Sequence, residues 1–200
     1  MSCLPLVIVM TLRFATEQDF GAFLGKRAGR GANKRAAKPK QAVQVSPHAL
    51  ALAKLSKKPE LIKGKQEHYL QVQVFDYFER YHPEVYEYMS AYPAGGMRSA
   101  KVGSEMKAEG QVSGYPDIML DIPAGVYHGA RFELKTDVGT LQVTQKTTLK
   151  KLSGQGYYCT ARKGFDDMVK AILDYTKLKA GETLEHGQFD KKWLDYQSDN

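Results

Sequence analysis

Asp117, Glu133 and Lys135 are the residues of this sequence whose types and spacing could do chemistry. In GYPDIMLDIPAGVYHGARFELKTD, residues 114–137, an aspartate follows a proline, and after fifteen intervening residues comes Glu-Leu-Lys. Magnesium takes oxygen ligands in near-octahedral geometry and keeps several waters, so one or two carboxylates plus substrate oxygens suffice to hold it. A metal so held lowers the pKa of its water and offsets charge on phosphoryl oxygens. Lys135 could orient the attacking water or stabilise the developing charge as a fixed cation. A surface salt bridge between Glu133 and Lys135 meets the same spacing, so the pattern alone is weak.

The elements around these residues decide whether they can meet. IMLDIP reads as a strand, PAGVYHGA as a turn-rich connection and RFELK as a second strand, which together make a hairpin with a long loop. Side chains alternate along a strand, so Glu133 and Lys135 share one face while Phe132 and Leu134 take the other. Asp117 stands at the mouth of the first strand, and pairing the strands brings it towards Glu133. Before them, QEHYLQVQVFDYFERYHP sets Leu70, Val74, Tyr77, Phe78 and Tyr81 on the stripe of an amphipathic helix that ends at Pro83. Glu67 and Gln71 share the edge of that stripe. A ligand and a first-turn Glu favoured by the helix dipole are both open for Glu67.

A short helix is expected over residues 99–109, with loops around it. Arg98, Lys101 and Lys107 there, with Gln71, are candidate nucleic-acid contacts; the three basic residues could equally solvate a surface helix. VTQKTTLKKLS, residues 143–153, is a helix stopped by Gly154, with Gln145, Leu149 and Leu152 on one face. YYCTA is a buried strand. Residues 165–178 are a last helix with Asp166 and Asp167 in its first turn. The tail after Ala180 is polar and peripheral, with Trp193 as its anchor.

Composition sets the wider frame. Two hundred residues allow one domain with a real core plus appended chain. A formal net charge of +7 and a pI near 9.2 point to an acidic partner, nucleic acid before an anionic membrane surface. Residues 26–65 carry twelve Lys or Arg against one acid, Glu60, and no aromatics. They read as a flexible basic arm with a short helix near His48, either attached to phosphates by charge or serving as a solvated linker. Two distant cysteines make neither a disulfide framework nor a zinc cluster, which favours a reducing, intracellular, cytoplasmic setting. LPLVIVM near the start is too short to span a bilayer and lacks the flanks of a signal peptide. Met10 could be an alternative start, leaving residues 1–9 as a dispensable leader.

From about residue 66 to 178 the chain resembles the VRR-NUC family, a branch of the PD-(D/E)xK nuclease superfamily. The resemblance lies in the early helix with Glu67 and Gln71, the loop YPAGGMRS, the Gly-x-Pro-Asp of KAEGQVSGYPDIML, FELK, and Gln145 ten residues past Lys135. It implies an α/β, restriction-endonuclease-like fold, a small mixed sheet flanked by helices in an αβββαβ order. Residues 1–65 would be leader and basic arm, 66–178 the nuclease domain and 179–200 a polar tail. By the same resemblance, Asp117 and Glu133 would bind Mg²⁺ or Mn²⁺ together with the backbone carbonyl of Leu134. Lys135 would be the catalytic lysine, Glu67 would assist metal binding and Gln145 would order the site. Two positions depart from the pattern. Ala94 stands where the family often has Asn, and Gln142 replaces the capping Ser, which weakens that helix start by roughly 1 kcal/mol. The family's standalone members resemble viral and phage nucleases that act as homodimers on branched DNA. The implied activity is therefore metal-dependent DNA cleavage, plausibly of Holliday-type junctions, with no membrane partner. A general nuclease or nickase on linear DNA, and a module that binds nucleic acid without cutting it, are the alternatives.

Overall fold

The computed structural model describes residues 45–92 and 100–196. The apolar leader and most of the basic arm lie outside the described residues. Chain order runs α1 (Pro47–Lys57), α2 (Gln66–Tyr81), α3 (Pro83–Tyr86), β1 (Met89–Ala91), α4 (Ala100–Ala108), β2 (Ile118–Leu120) and β3 (Ala130–Lys135). It continues with α5 (Val143–Ser153), β4 (Tyr158–Lys163), α6 (Gly164–Thr176) and α7 (Lys191–Leu194). The four strands form one mixed sheet in the order β1-β2-β3-β4, antiparallel in the first two pairs and parallel in the last. Helix α5 makes the crossover that a parallel β3–β4 pair requires. With α4 inserted between β1 and β2, this is the αβββαβ-like arrangement that the resemblance implies, with β1 as a short edge strand beside β2.

Alternation along β3 gives the sheet two different faces. Phe132 and Leu134, with Ile118, Leu120 and Tyr158, pack against α2 and α6 in the larger core. Arg131, Glu133 and Lys135 point to the other face, in register with Cys159, Ala161 and Lys163 of β4. That face is closed by Leu141, Leu149 and Trp193, all buried. A charged trio on a covered face is costly unless paired: Arg131 pairs with Asp121 at 3.0 Å, and the pairing that sustains Glu133 and Lys135 is the candidate site.

Helix α2 begins and ends where its apolar spacing and Pro83 place it. Its buried residues are Tyr69, Val74, Phe75 and Phe78, whereas Tyr81 in the last turn is 66 % exposed. The stripe has turned off the core by that point. Ahead of it, Ser46 caps α1 by accepting from the N–H groups of His48 and Ala49, at 3.2 and 3.4 Å. The same hydroxyl donates to Glu79 of α2, and His48 pairs with Tyr86 at 2.9 Å. Residues 46–57 thus fold onto α2 and α3. Among the described residues, no helix is long and apolar enough to cross a membrane.

The C-terminal segment is built into the fold more deeply than its polar composition suggests. Asp190, fully buried, accepts hydrogen bonds from Thr160 Oγ1 (2.6 Å), Ala161 N (2.7 Å), Trp193 Nε1 (2.9 Å) and Gly187 N (3.0 Å). The Ala161 N–H lies on the outer edge of β4, so the segment covers an edge that would otherwise be open. Burial pushes the Asp190 carboxyl up, yet bonds from His186, Ala161, Thr160 and Trp193 outweigh it and hold the group below its ordinary value. Its ionised form therefore contributes stability that is present above the unfolded pKa and lost as pH falls through the lower folded one. Urea unfolding of Asp190→Ala should show a loss of about 2–4 kcal/mol at neutral pH, because several buried donors are orphaned together. That deficit should narrow on acidification below the ordinary aspartate range; an unchanged midpoint at pH 7 would refute the role.

Candidate active site

The first carboxylate is delivered by a turn. Pro116 is buried and Asp117 stands one residue before β2, so continuing the Ile118–Phe132 register sets it opposite Glu133. Its Oδ2 accepts the Leu134 backbone N–H at 2.9 Å, and its own carbonyl accepts from Gln71 Nε2 at 3.3 Å. Glu133 has no exposed surface. One of its oxygens, Oε1, receives Lys135 Nζ at 2.8 Å and the Gln145 side-chain amide. The other, Oε2, is buried beside Asp117 and, among the described residues, has no hydrogen-bond partner.

Lys135 completes the group. Its ammonium reaches Glu133 Oε1, the Leu134 carbonyl oxygen at 3.2 Å and Glu67 Oε1 at 3.4 Å, so its three donors meet three acceptors. Glu67 is half exposed at the start of α2. Gln145 is aimed by its own helix: its Oε1 accepts the Gln142 N–H at 2.9 Å, which leaves Nε2 to face Glu133. That bond is the returning half of a capping box and supplies part of what a capping Ser would have given.

Three carboxyl groups share one ammonium, so ionising all three would leave two negative charges uncompensated. Burial, then the nearby charge of Asp117, pushes Glu133 up to about 8 despite Lys135 beside it. Burial also raises Asp117, against the Leu134 N–H and Lys135, which pull the other way. For Lys135, burial alone would lower the pKa, but Glu133, Asp117 and Glu67 outweigh it and raise the group above its ordinary value. It is a fixed cation at neutral pH. A pair of raised carboxyls, an unpaired buried oxygen and a backbone carbonyl make a hard, oxygen-rich donor set short of positive charge, and a small divalent cation fits it. Among the described residues, no group of three or more His, Cys, Asp or Glu side chains could hold a metal ion by itself. Water and substrate oxygens would have to complete the coordination.

The structure thus joins Glu67, Gln71, Asp117, Glu133, Leu134, Lys135 and Gln145 in one place. Lys107 is exposed in the last turn of α4 and, among the described residues, makes no hydrogen bond or ion pair with this group. Lys101 lies near the start of α4; Arg98 and the loop containing Ala94 lie outside the described residues.

One solved structure bears directly on this arrangement. A VRR_NUC domain protein is 28% identical to the chain, with a TM-score of 0.51, over 57% of this chain and 90% of its own. The fold matches that of a VRR-NUC domain. The likeness supports the family read from the GYPD, FELK and Gln145 blocks. No family model matches the sequence, and no curated protein matches it.

Gly114 is a site residue that the chemistry-bearing types do not reveal. Its φ is +75°, and a Cβ built there would stand 2.5 Å from the Thr144 carbonyl carbon and 2.7 Å from Gln145 N. The loop carrying Asp117 therefore lies directly on the first turn of the helix carrying Gln145. The sequence signal is the glycine itself, two residues before the buried proline. Gly114→Ala combines a backbone clash with a strained φ and should cost about 2–3 kcal/mol by chemical denaturation. Amide hydrogen exchange at residues 143–146 should also speed up; wild-type stability and exchange would show that the contact is dispensable.

Proposed function

We propose that the chain is a divalent-metal-dependent nuclease that hydrolyses phosphodiester bonds in DNA. The observation that carries this reading is the buried, unpartnered Oε2 of Glu133 beside Asp117, with the Lys135 ammonium at 2.8 Å from the other oxygen. The structural likeness to a VRR_NUC domain protein supports it.

Asp117, Glu133 and the Leu134 carbonyl would hold Mg²⁺ or Mn²⁺, with Glu67 at the rim. A bound divalent cation would supply Lewis acidity, a more acidic water and charge compensation for the phosphoryl oxygens. The protein's own contribution is arrangement. Gln145 fixes the Glu133 carboxyl from one side, and Gln71 fixes the Asp117 backbone from another. Lys135, held protonated by the acids around it, would give up one of its three present acceptors and donate from Nζ to a phosphate oxygen that gains charge, rather than act as a base. Burial of the trio under α5 and α7 keeps the local dielectric low, which makes that donor count for more.

Branched DNA is the substrate we infer within this class, with a homodimer of the standalone phage type making paired cuts; this rests on the family resemblance. A panel of four-way junction, flap, nicked and linear duplex DNA, with and without Mg²⁺ or Mn²⁺, tests both levels. Cleavage of the junction above the others is expected, and equal cleavage of all four would remove the junction preference. Asp117→Asn and Lys135→Ala should each lower metal-dependent cleavage about 10²–10⁴-fold. Asp117→Asn should also weaken Mn²⁺ binding by calorimetry. Salt-sensitive DNA binding with no cleavage by the wild type under any metal would instead favour a non-cutting module.

A further inference from the structure

The described residues are almost balanced in charge: twenty Lys or Arg against nineteen Asp or Glu. The balance is not spread evenly. Helices α5 and α7, which pack together, carry Lys146, Lys150, Lys151, Lys191 and Lys192 and no acid. Helices α2 and α6, on the opposite face of the sheet, carry Glu67, Asp76, Glu79, Asp166, Asp167 and Asp174 against Arg80 and Lys170. Asp195, just past α7, is the nearest exposed acid in sequence to the lysine group, since Asp190, next to Lys191, is buried and committed to its own hydrogen bonds.

The lysines are also continuous with the site. Lys163 is the register partner of Lys135 on the neighbouring strand, and its ammonium donates to the Asp137 carbonyl, in the turn that follows Lys135. That ammonium lies 4.9 Å from the centre of the Phe189 ring, and Lys192 Nζ lies 5.0 Å from the same ring. Lys146 and Lys150 both engage Tyr196, the first over its ring at 5.2 Å and the second at its carbonyl oxygen, 2.6 Å away. A positive path thus leaves the acidic site through Lys163 and Phe189 and spreads over α7 and α5, where Lys150, Lys151, Lys191 and Lys192 are exposed.

We infer that this lysine ridge is a phosphate-binding surface that seats the nucleic-acid backbone beside the cleaved bond. The inference rests on the nuclease reading and adds to it the face on which the substrate lies. An acid-free lysine surface of this kind draws and orients a polyanion before contact. Duplex backbone laid along the ridge would pass over Lys163 and arrive at Glu133 and Lys135. The contacts are with phosphates, so the ridge adds affinity without base preference.

The test uses the full chain and a fluorescent DNA duplex, with anisotropy read in EDTA across a salt series. Lys151→Gln, Lys191→Gln and Lys192→Gln are combined, leaving Lys146 and Lys150 on Tyr196; the control combines Lys170→Gln, Lys177→Gln and Lys179→Gln. Each lost phosphate contact lowers the slope of log affinity against log salt by about 0.9. The ridge variant should lose about 1–3 in that slope and bind more than tenfold more weakly at moderate salt, at an unchanged melting temperature. The control should match the wild type. Equal losses in both variants, or a wild-type slope in the ridge variant, would overturn the ridge. Metal-dependent cleavage run in parallel separates the two readings: a chain that binds through the ridge but never cuts sinks the nuclease and leaves the surface standing.

Discussion

The structure depends on keeping a buried, half-satisfied glutamate beside a second acid. An isolated carboxylate out of water is costly enough that it normally takes up a proton or finds a partner. Glu133 has Lys135 and Gln145 on one oxygen and, among the described residues, no hydrogen-bond partner on the other. A protein selected for stability alone would gain by replacing this trio with apolar side chains, since buried ion pairs seldom repay their desolvation. An unpaired oxygen in the middle of a well-packed face is capacity of the kind that the cation proposed above would use.

Holding that capacity requires the surrounding chain to exclude water and resist collapse. The face is closed by α5 and by Trp193, which is 1 % exposed. Trp193 is in turn held by Asp190, whose carboxylate is tied to the edge of β4. The same β4 residue, Ala161, lies in register with Glu133. The C-terminal segment thus reaches the candidate site through one strand and one helix, although among its described residues none is hydrogen-bonded or ion-paired to Glu67, Asp117 or Glu133. Gly114 does the equivalent on the other side, bringing the Asp117 loop onto the α5 backbone.

How far the sequence revealed this follows from which forces are local. The 3.6-residue apolar spacing and Pro83 define α2 to within two residues, and the alternation in RFELK separates Glu133 and Lys135 from Phe132 and Leu134. Those signals act within a few residues of one another. Tyr81 was set on the core stripe by its spacing, but it falls in the last turn of α2, where the helix has left the core, and it is exposed. β1 carries no pattern because three residues are too few to alternate, and it exists by pairing with β2. The role of Asp190 is hidden for the opposite reason: its partners Thr160 and Ala161 are about thirty residues away, and a polar segment gives no hint of burial. Asp117, Glu133, Lys135 and Gln145 were legible as a set because a motif records their spacing. The orphaned oxygen and the charge deficit needed the fold.

Lys135 shows why the two levels cannot be separated by a simple deletion. Its ammonium satisfies Glu133, Glu67 and the Leu134 carbonyl, two of which are also donors to the cation inferred here. Before a cation arrives, that ammonium is what allows the acids to stand so close. A neutral replacement such as Lys135→Met would remove a donor from the transition state and a counter-charge from the apo fold together. Arginine keeps the charge but spreads it over a planar fork that cannot repeat the compact three-way contact. If the lysine served chemistry alone, Lys135→Met would fold as stably as the wild type without metal. The geometry argues the reverse: metal-free Lys135→Met should be less stable than the wild type, Lys135→Arg should regain part of the difference, and added Mn²⁺ should narrow it, because the cation then supplies the charge that the side chain no longer does.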